Sequence, residues 1–550
     1  MNALLQRLWR VTDFKPNEQQ AAAILHTNGP LYLPAGPGSG KTRVLLWRTV
    51  NLIVCHGVSP EAIYLSTFTE KAAFQLKEGL RVLLGIASNH TDRPYDISKM
   101  YVGTVHSLCQ RLITDRRFYP NRQRGKAPVL LDDLGQFFYL HHTRMWNDLL
   151  SAVALGDDAH ATINALFNER SESKFKAVTN CIALFNRLSE ECVEPQADMD
   201  TVTDDTFRAL LTMYARYRES LQPDDAPPRT DFSLLQQRAL ETLDRFDGAP
   251  HVFAHIIVDE YQDTNHIQER IFFRLARGHQ NICVVGDDDQ ALYRFRGATV
   301  ENFVEFPERC RTQLGVSPRK IPLVTNYRSR QRIVKFYTDF MARCDWRKQP
   351  RGAYRVADKA IQADSKDKGV SVIASTPAHP DDVSEEIATL VRQLLDSQRV
   401  ADPNQIAFLF PSLKTEQVRR MKGALEAKGL RVYAPRAGRF LDEDEAVALF
   451  GIYLHVFGKP DRDEKYGGDY KEFHDWVDTA HATAQELMRA DRQLAQYVKD
   501  RKAEVETATA DYAILLKAVE RKGRQLTAPY EISAMKRTLR DAAGLSDTAK

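Results

Sequence analysis

The sequence predicts an α/β fold with parallel sheets, and three observations indicate it. Short apolar, β-branched runs alternate with helical patterns between residues 31 and 110 and again between about 229 and 318. Glycine-rich or acidic segments follow several of these runs directly, at the position where parallel strands end and ligands bind. The same alternation restarts at about residue 319 and becomes wholly helical after Gly458. We therefore expect two α/β domains that carry helical insertions.

The predicted strands follow one another in two groups. Those of the first domain are Leu31–Leu33, Ala62–Leu65, Tyr101–Gly103, Ile256–Val258 and Ile282–Val285. Those of the second are Pro322–Val324, Val370–Ile373 and Ile406–Phe410. Helical patterns are predicted at Arg43–Cys55, Leu130–Leu155, Phe207–Leu221, Val383–Asp396 and Tyr470–Arg521. Residues 111–228, which end in the breaker Pro223–Pro228, are expected to form a helical insertion in the first α/β domain.

The composition is that of an ordinary globular protein. A length of 550 residues predicts several domains, because single cores rarely exceed ~250–300 residues. The net charge of +3 is small, so binding to nucleic acid would need local basic surfaces. The seven cysteines form no C-x-x-C pair, which argues against a disulfide framework or a zinc site and fits the reducing cytoplasm. No apolar run approaches ~18 residues, so no membrane segment is expected.

The segment Ala35–Thr42, with the sequence AGPGSGKT, joins the first predicted strand to a helix. A glycine loop at a helix N-terminus presents backbone N–H groups to phosphates, and here Gly36, Gly38, Ser39 and Gly40 supply that loop. The Lys41 ammonium can reach the β- and γ-phosphates, and the Thr42 hydroxyl can ligate Mg²⁺. Ala35 replaces the usual first glycine, so a chance glycine turn is the alternative. The expected ligand is a Mg²⁺-nucleotide.

Two acids follow the predicted strand Ile256–Val258 directly. Asp259 is placed to hold Mg²⁺ through its water shell, and Glu260 to take a proton from an attacking water. Without the Lys41 loop, an exposed acidic turn would be the better interpretation.

A third strand end, Gly286–Ala298, carries the acids Asp287–Asp289 followed by Gln290. Three acids could hold a metal, but we favour Gln290 as a sensor, because a neutral amide can hydrogen-bond both a γ-phosphate and a water. Tyr293 and Phe295 alternate with arginines, a mixture used for sequence-tolerant binding of single strands.

Taken in order, these segments resemble superfamily 1 DNA helicases of the UvrD/Rep/PcrA type. The matching segments are Phe14–Ile24, Ala35–Thr42, Ser66–Ala73, Val102–Ser107, Asp259–Asp263, Gly286–Ala298 and Asn326–Ser329, with weaker similarity from Arg431 to Tyr453. The resemblance implies two RecA-like P-loop NTPase domains, the second of them incomplete. It implies residues 1–110 and 229–318 for the ATP-binding domain and 111–228 for its insertion. Residues 319–458 would form part of the second domain, and 459–550 the start of a second helical insertion.

The resemblance also implies a role for each matching residue. Gln20 (or Gln19 in another register) would read the adenine of ATP, and Tyr327 would stack on it. Lys41 and Thr42 would bind the phosphates and Mg²⁺, and Asp259 would also hold Mg²⁺. Glu260 would be the base and Gln290 the γ-phosphate sensor, with Arg328 as the arginine finger and Arg296 as a further arginine of the nucleotide site. For single-stranded DNA the matching residues are Phe68, Thr104, His106, Tyr293 and Phe295. His106 also fits a core histidine, and Phe295 stands where relatives commonly carry tryptophan.

The implied function is an ATP-dependent helicase that moves 3′ to 5′ on single-stranded DNA and acts at junctions with duplex, in repair or recombination in the cytoplasm. Two late family motifs, one with Lys-Gly-Leu-Glu after Thr-x-His and one with Thr-Arg, do not occur in the sequence. Three explanations fit this absence: a truncated or interrupted gene product that lacks its C-terminal region, a designed fragment, and a chain completed by a protein partner. We favour truncation of a longer helicase. The alternative is a nucleotide-gated DNA-binding subunit with little unwinding of its own, and a helicase–nuclease would need a nuclease domain beyond Lys550.

Overall fold

The structure is a computed structural model. It describes residues 3–118, 128–156, 158–199, 202–223, 227–294, 297–347, 354–356, 359–375, 379–413, 415–433, 440–460, 469–523, 540 and 542–548. The chain divides into two compact units, Met1–Ile373 and Ala374–Lys550. Each unit is described by itself.

A six-stranded parallel sheet forms the centre of the first unit, with the strand order β3-β2-β6-β7-β1-β8. Its strands are β1 Leu31–Pro34, β2 Ile63–Thr67, β3 Tyr101–Thr104, β6 His255–Val258, β7 Ile282–Gly286 and β8 Arg319–Lys320. Two short parallel ladders pair β4 Val129–Leu130 with β5 Arg229–Thr230, and β9 Thr325–Asn326 with β10 Gln362–Ala363. The parallel sheet predicted from the sequence is confirmed.

The strands of this sheet are apolar throughout because both faces are buried. Alternate residues of β1 point to opposite sides: Tyr32 joins the core on one face, and Leu31 and Leu33 join the core on the other. Tyr64 and Leu65 of β2 divide in the same way. A two-sided core of this kind explains why apolar runs, rather than alternating patterns, marked the strands in the sequence.

Helices cover both faces of the sheet and form the insertion. Those outside the insertion are α1 Ala3–Val11, α2 Glu18–Leu25, α3 Lys41–Val50, α4 Glu70–Thr91, α5 Val105–Leu112, α12 Phe232–Arg245, α13 His266–Ala276, α14 Val300–Val304, α15 Phe306–Leu314 and α16 Gln331–Ala342. Those of the insertion are α6 Asp133–His141, α7 Thr143–Ser151, α8 Ala159–Ala165, α9 Lys174–Glu190, α10 Pro195–Asp198 and α11 Asp205–Ser220. The insertion has a core of its own, in which Trp146, Phe185 and Tyr217 are almost fully buried.

After β8, the edge strand of the sheet, the chain runs alongside the glycine loop that follows β1. Ala35 forms a parallel bridge with Leu323, and the Gly36 N–H donates to the Leu323 carbonyl at 2.9 Å. The ladder of β9 and β10 follows at once. The Asn326–Ser329 segment is therefore held beside the loop that begins at the end of β1.

The second unit is helical, with α17 Pro380–Asp396, α18 Glu416–Ala427, α19 Asp444–Phe457, α20 Asp469–Ala490 and α21 Arg492–Gly523. A small core joins α17 and α18 through Ala388, Val391, Met421 and Leu425. Helices α19 and α20 approach so closely that a Cβ on Gly451 would press directly against the Ala480 carbonyl.

Two strand predictions are wrong, and a third, Pro322–Val324, forms only an isolated bridge, through Leu323 to Ala35. Val370–Ile373 and Ile406–Phe410 run without ladder partners, and the second unit contains no strand within its described residues. Phe408 and Phe410 still pack against the core of α17 and α18, whereas the Leu409 between them is 94 % exposed. The segment keeps the side-chain alternation of a strand, but a strand becomes a sheet only when neighbouring backbone pairs with it.

None of the helices in the described parts of the chain is long and apolar enough to cross a membrane. All seven cysteines are free thiols.

Candidate nucleotide site and nucleic-acid interface

The loop between β1 and α3 has the geometry of a phosphate cradle. Gly38 and Gly40 adopt left-handed conformations, with φ values of +66° and +80°, and Gly40 caps the N-terminus of α3. A Cβ on Gly36 would lie 2.7 Å from the Ile361 Cδ1 atom, so the loop backbone is closely covered there. The glycine loop therefore ends at the N-terminus of α3, the positive end of the helix, where anions bind.

Unsatisfied polar groups at this loop fit a bound phosphate. Among the described residues, neither the Lys41 ammonium nor the buried Ser39 hydroxyl has a hydrogen-bond partner. The Lys41 side chain is 11 % exposed, and its Nζ lies 3.6 Å from the Glu260 Oε2 atom. Because a buried ammonium without hydrogen bonds is costly, these groups are arranged for an anion that supplies the missing acceptors.

The acids after β6 lie where the sequence places them. The Asp259 N–H donates to the Ser66 carbonyl of β2 at 2.8 Å, which fixes Asp259 at the carboxyl edge of the sheet. Burial, with the Glu260 carboxylate beside it, raises the pKa of Asp259 to about 7, and Lys41 acts in the opposite direction. Glu260 has a φ of +51°, an uncommon conformation for a residue with a side chain. A buried Asp259 carboxylate with a partly exposed Glu260 carboxylate beside it can receive a divalent cation, which would relieve the repulsion between them.

Gln262 links this acidic pair to the next strand end. Its Nε2 donates to the Glu260 Oε2 atom at 2.9 Å, and its Oε1 accepts from the Asp287 N–H at 3.0 Å. The side chain is 2 % exposed. Gln262 therefore fixes the Glu260 carboxylate relative to β7.

The three acids after β7 are held by cations of the same unit. The Lys359 Nζ lies 2.6 Å from Asp287, 2.7 Å from Asp288 and 3.0 Å from Asp289. Arg355 makes two bonds of 2.7 Å to the Asp289 carboxylate. Across the described residues, no group of three or more His, Cys, Asp or Glu side chains is arranged to hold a metal.

Gln290 is exposed beside these acids, and its Nε2 donates to the Asp287 Oδ2 atom at 2.6 Å. Because this bond uses the amide nitrogen of Gln290, the amide oxygen remains available to a ligand or a water.

The adenine-reading candidates Gln20 and Tyr327 contact the loop, and both are hydrogen-bonded to Asn17. Gln20 and Asn17 form a reciprocal capping box at the start of α2, and the Gln20 Nε2 donates to the Ser39 carbonyl at 3.0 Å. The Asn17 Nδ2 donates to the Tyr327 hydroxyl at 2.9 Å. Gln20 is buried, whereas Gln19 is only partly buried. Of the two registers considered, the structure brings Gln20 to the loop.

The arginine-finger candidate begins next to the loop. The Arg328 Cβ atom lies 2.7 Å from the position that a Cβ on Gly38 would take, and the Tyr327 N–H donates to the Gly38 carbonyl at 3.0 Å. Asn326 organises this approach: its Nδ2 donates to the Pro37 carbonyl at 2.7 Å, and its Oδ1 accepts from the N–H groups of Arg328 and Ser329.

The DNA-contact candidates divide into two groups. The Phe68 and Tyr293 rings lie together, with centroids 4.6 Å apart. Thr104 caps α5 and donates its hydroxyl to Glu70 at 2.7 Å. His106 packs against the Phe232 ring and lies within 3.2 Å of the Gln236 amide, and burial lowers its pKa. Phe295 and Arg296 lie outside the described residues.

Sequence reasoning missed several residues of this site, namely Asn17, Gln262, Asn326, Arg355 and Lys359. Gln262 and Asn326 stand inside segments that had been recognised, so their position was a usable signal. Lys359 lies far along the chain from Asp287 and in no motif, so only the tertiary structure could place it.

Comparison with known proteins agrees with this geometry. Residues 16–311, more than half of the chain, match a family model described as the UvrD/REP helicase N-terminal domain. Named ATP-dependent DNA helicases are similar to it as well. UvrD1 of Mycobacterium leprae is 33 % identical over 352 residues, which are 61 % of this chain and 40 % of that protein. UvrD1 of Mycobacterium tuberculosis (strain CDC 1551 / Oshkosh) is 32 % identical over 349 residues, with the same coverage. PcrA of Staphylococcus aureus (strain Mu50) is 30 % identical over 361 residues, which are 64 % of this chain and 42 % of that protein.

The matched region thus spans about two fifths of the relatives' length. It contains the loop at Lys41, the acids at Asp259 and Glu260, and the sensor candidate Gln290, in the order and the geometry described above. The chain belongs to the UvrD/REP helicase family.

Proposed function

We propose that this chain binds Mg²⁺-ATP and couples its hydrolysis to 3′-to-5′ movement on single-stranded DNA and to strand separation at junctions with duplex, in DNA repair or recombination. One observation carries the proposal: a buried Lys41 ammonium without a hydrogen-bond partner stands between a glycine loop and the Glu260 carboxylate. The similarity to proteins named ATP-dependent DNA helicases supports it.

The residues of the site divide the work of phosphoryl transfer. The loop N–H groups and Lys41 hold the phosphates, and Thr42 with Asp259 holds the metal. Mg²⁺-ATP, when bound, supplies the γ-phosphoryl group and a divalent charge that offsets the negative charge developing on it. Glu260 takes the proton of the attacking water, since Gln262 fixes its carboxylate near Lys41. Gln290 senses the γ-phosphate, and Arg328 and Arg296 stabilise the transferring group.

At the nucleic-acid side, we assign Phe68 and Tyr293 as a shared stacking face for bases of a single strand, because their rings already lie against each other. Thr104, His106 and Phe295 complete the proposed contacts. His106 would have to exchange its packing against Phe232 for a DNA contact. Gln20 and Tyr327 would read and stack on the adenine.

Phosphate release by the full chain, measured with and without oligothymidylate, tests the proposal. We expect stimulation by the single strand and complete loss in Lys41→Ala. Glu260→Gln should still bind Mg²⁺-ATP but lose about 10²–10³-fold in turnover, because the shape remains and the base is lost.

Lys335→Ala is the matched control. This lysine is 73 % exposed and pairs with Asp339 on its own helix, so turnover should not change. Wild-type turnover in Lys41→Ala would refute the assigned cradle.

A second function is favoured by two predicted strands, Val370–Ile373 and Ile406–Phe410, for which the described residues provide no ladder partner. It is a nucleotide-gated DNA-binding module with little turnover, completed by a further region or a protein partner. Tight ATP-dependent binding of single-stranded DNA without stimulated phosphate release would support this module over the motor.

The proposed domain division follows the family pattern: residues 1–110 and 229–318, the insertion 111–228, then 319–458 and 459–550. The cytoplasm is the proposed location, and the seven free thiols are consistent with a reducing compartment.

A further inference from the structure

Lys359 is buried among carboxylates at the edge of the nucleotide site. Its side chain and those of Asp287 and Asp288 are 0 % exposed. The ammonium donates to Asp287 Oδ1 at 2.6 Å and to Asp288 Oδ1 at 2.7 Å. A lysine is rarely buried so completely unless its charge is matched, and here acidic partners match it.

The two oxygens of Asp287 accept from different side chains, and Oδ1 also accepts from the Asp289 N–H at 3.3 Å. Oδ1 accepts from Lys359, and Oδ2 accepts from the Gln290 amide nitrogen at 2.6 Å. Because an ionised carboxylate only accepts hydrogen bonds, it forces the amide NH₂ of Gln290 toward itself and the amide oxygen away. Burial raises the pKa of Asp287, and the Lys359 ammonium acts against that rise and holds the carboxylate in place, so the orientation of Gln290 depends on Lys359 through Asp287.

The same lysine belongs to the segment that borders Arg328. Three residues after Lys359 begins β10, whose Gln362 N–H donates to the Val324 carbonyl at 2.9 Å. β10 pairs with β9, which ends at Asn326, and Ile361 covers Gly36 of the loop. The lysine therefore joins the strand end that carries Gln290 to the ladder that carries Arg328.

We propose that Lys359 is a positioning residue: through Asp287 it orients Gln290 toward the γ-phosphate, and through β10 it ties that orientation to the segment of Arg328. The inference rests on the proposed function, since it concerns how a bound nucleoside triphosphate is distinguished from a diphosphate. Arg355, which holds Asp289 on the same acidic triplet, secures the segment but does not contact the Asp287 carboxylate in the described hydrogen bonds.

The test measures selectivity rather than activity. Calorimetric titration of the full chain with adenylyl imidodiphosphate and with ADP, each with Mg²⁺, gives the ratio of the two affinities. In Lys359→Met this ratio should fall about tenfold, which is the effect of one misplaced hydrogen bond to a charged group, while ADP affinity stays within about twofold. A merely structural role would weaken both ligands alike.

A double-mutant cycle shows whether the lysine acts through the glutamine. In the Gln290→Ala background, Lys359→Met should cause no further loss of selectivity. Lys335→Met is the control, because that lysine is exposed on α16 and should leave both affinities unchanged. An additional tenfold loss in the double variant would overturn the proposed route, and an unchanged ratio in Lys359→Met would overturn the role itself.

Removing a buried charge can prevent folding, so two further variants decide the matter in that case. Lys359→Met combined with Asp288→Asn removes one charge of each sign from the cluster. Asp287→Asn keeps the side-chain volume and should reproduce the loss of selectivity; a wild-type ratio in Asp287→Asn would overturn the proposal. Failure of the wild-type chain to bind either nucleotide would instead refute the proposed function.

Discussion

Glu260 shows how one residue's backbone can determine chemistry. Its φ of +51° begins a tight turn, Tyr261–Asp263, directly after β6. The turn brings the Gln262 amide back onto the Glu260 carboxylate and leaves that carboxylate 3.6 Å from Lys41. A left-handed conformation costs a residue with a side chain ~1–2 kcal/mol, and here it places the proposed base within reach of the phosphate loop.

Glu190 gives a prediction at the same scale. Burial raises its pKa from 4.5 to about 7, against the lowering effects of Ser233, Arg187 and Asn265, while Glu191 raises it further. The folded state therefore binds a proton more tightly than the unfolded state. Its stabilising contribution is complete below pH ~4.5 and is lost as the pH rises to about 7. In Glu190→Gln the melting temperature should fall less between pH 4.5 and pH 7 than it does in the wild type. At pH 8 the variant should melt a few degrees higher than the wild type.

Thermal melts at several pH values check this prediction. Glu241→Gln is a fitting control, because this glutamate lies on α12 with its side chain 41 % exposed and pairs with Arg245 on the same helix. An unchanged slope in Glu190→Gln would show that the buried carboxyl does not carry the pH dependence.

At the scale of elements, the loop between β1 and α3 is restricted from two sides. Its glycines take conformations that other residues avoid, and the β9 segment lies against it, through Tyr327 to Gly38 and through Asn326 to Pro37. A phosphate cradle needs backbone that can approach its ligand closely, and the neighbouring segment needs the same closeness to deliver Arg328.

A comparison of Gly38→Ala with Gly315→Ala distinguishes the effect of the left-handed backbone from the effect of the close approach of Arg328. Both glycines have positive φ, +66° and +74°, so both substitutions should destabilise the fold by ~1 kcal/mol. Only Gly38→Ala would place a Cβ 2.7 Å from the Arg328 Cβ atom, whereas Gly315 has open space around it. We expect about tenfold weaker binding of adenylyl imidodiphosphate for Gly38→Ala and unchanged binding for Gly315→Ala, by calorimetry. Equal affinities in the two variants would contradict the close approach of Arg328.

At the scale of the whole molecule, strand-like sequences of similar composition end up either paired in a sheet or unpaired. In the first unit, β6 and β7 pair with neighbours on both sides and are buried on both faces. Val370–Ile373 and Ile406–Phe410 are equally apolar in sequence, yet no strand pairs with them among the described residues. Apolar sequence alone therefore does not distinguish a central strand from an unpaired one.

Amide hydrogen exchange of the full chain measures this difference directly. Residues 256–258 and 282–285 should exchange on the order of 10³-fold or more slowly than residues 406–410, because the former are bonded in a ladder and the latter are not. β5, a ladder strand of two residues, serves as an intermediate reference. Protection at residues 406–410 equal to that of β6 would show that they are paired in solution.

The sequence by itself determined the parallel sheet of the first unit and its central motifs. Local rules suffice there: apolar runs mark strands buried on both faces, and the residues just after a strand lie at its carboxyl edge. This is why Lys41, Asp259, Glu260 and Gln290 could be named together before any coordinates. Their similarity to the family then follows from residues in a fixed order.

Only the tertiary structure decided the contacts between segments distant in the chain. Lys359 among the acids after β7, Asn17 on Tyr327, and the absence of ladders at two predicted strands in the described residues all depend on partners that sequence spacing does not reveal. Burial and ladder pairing depend on residues that are distant in the chain and come together only in the folded protein. The local sequence therefore predicts the chemistry that a residue can perform but not which residue it contacts.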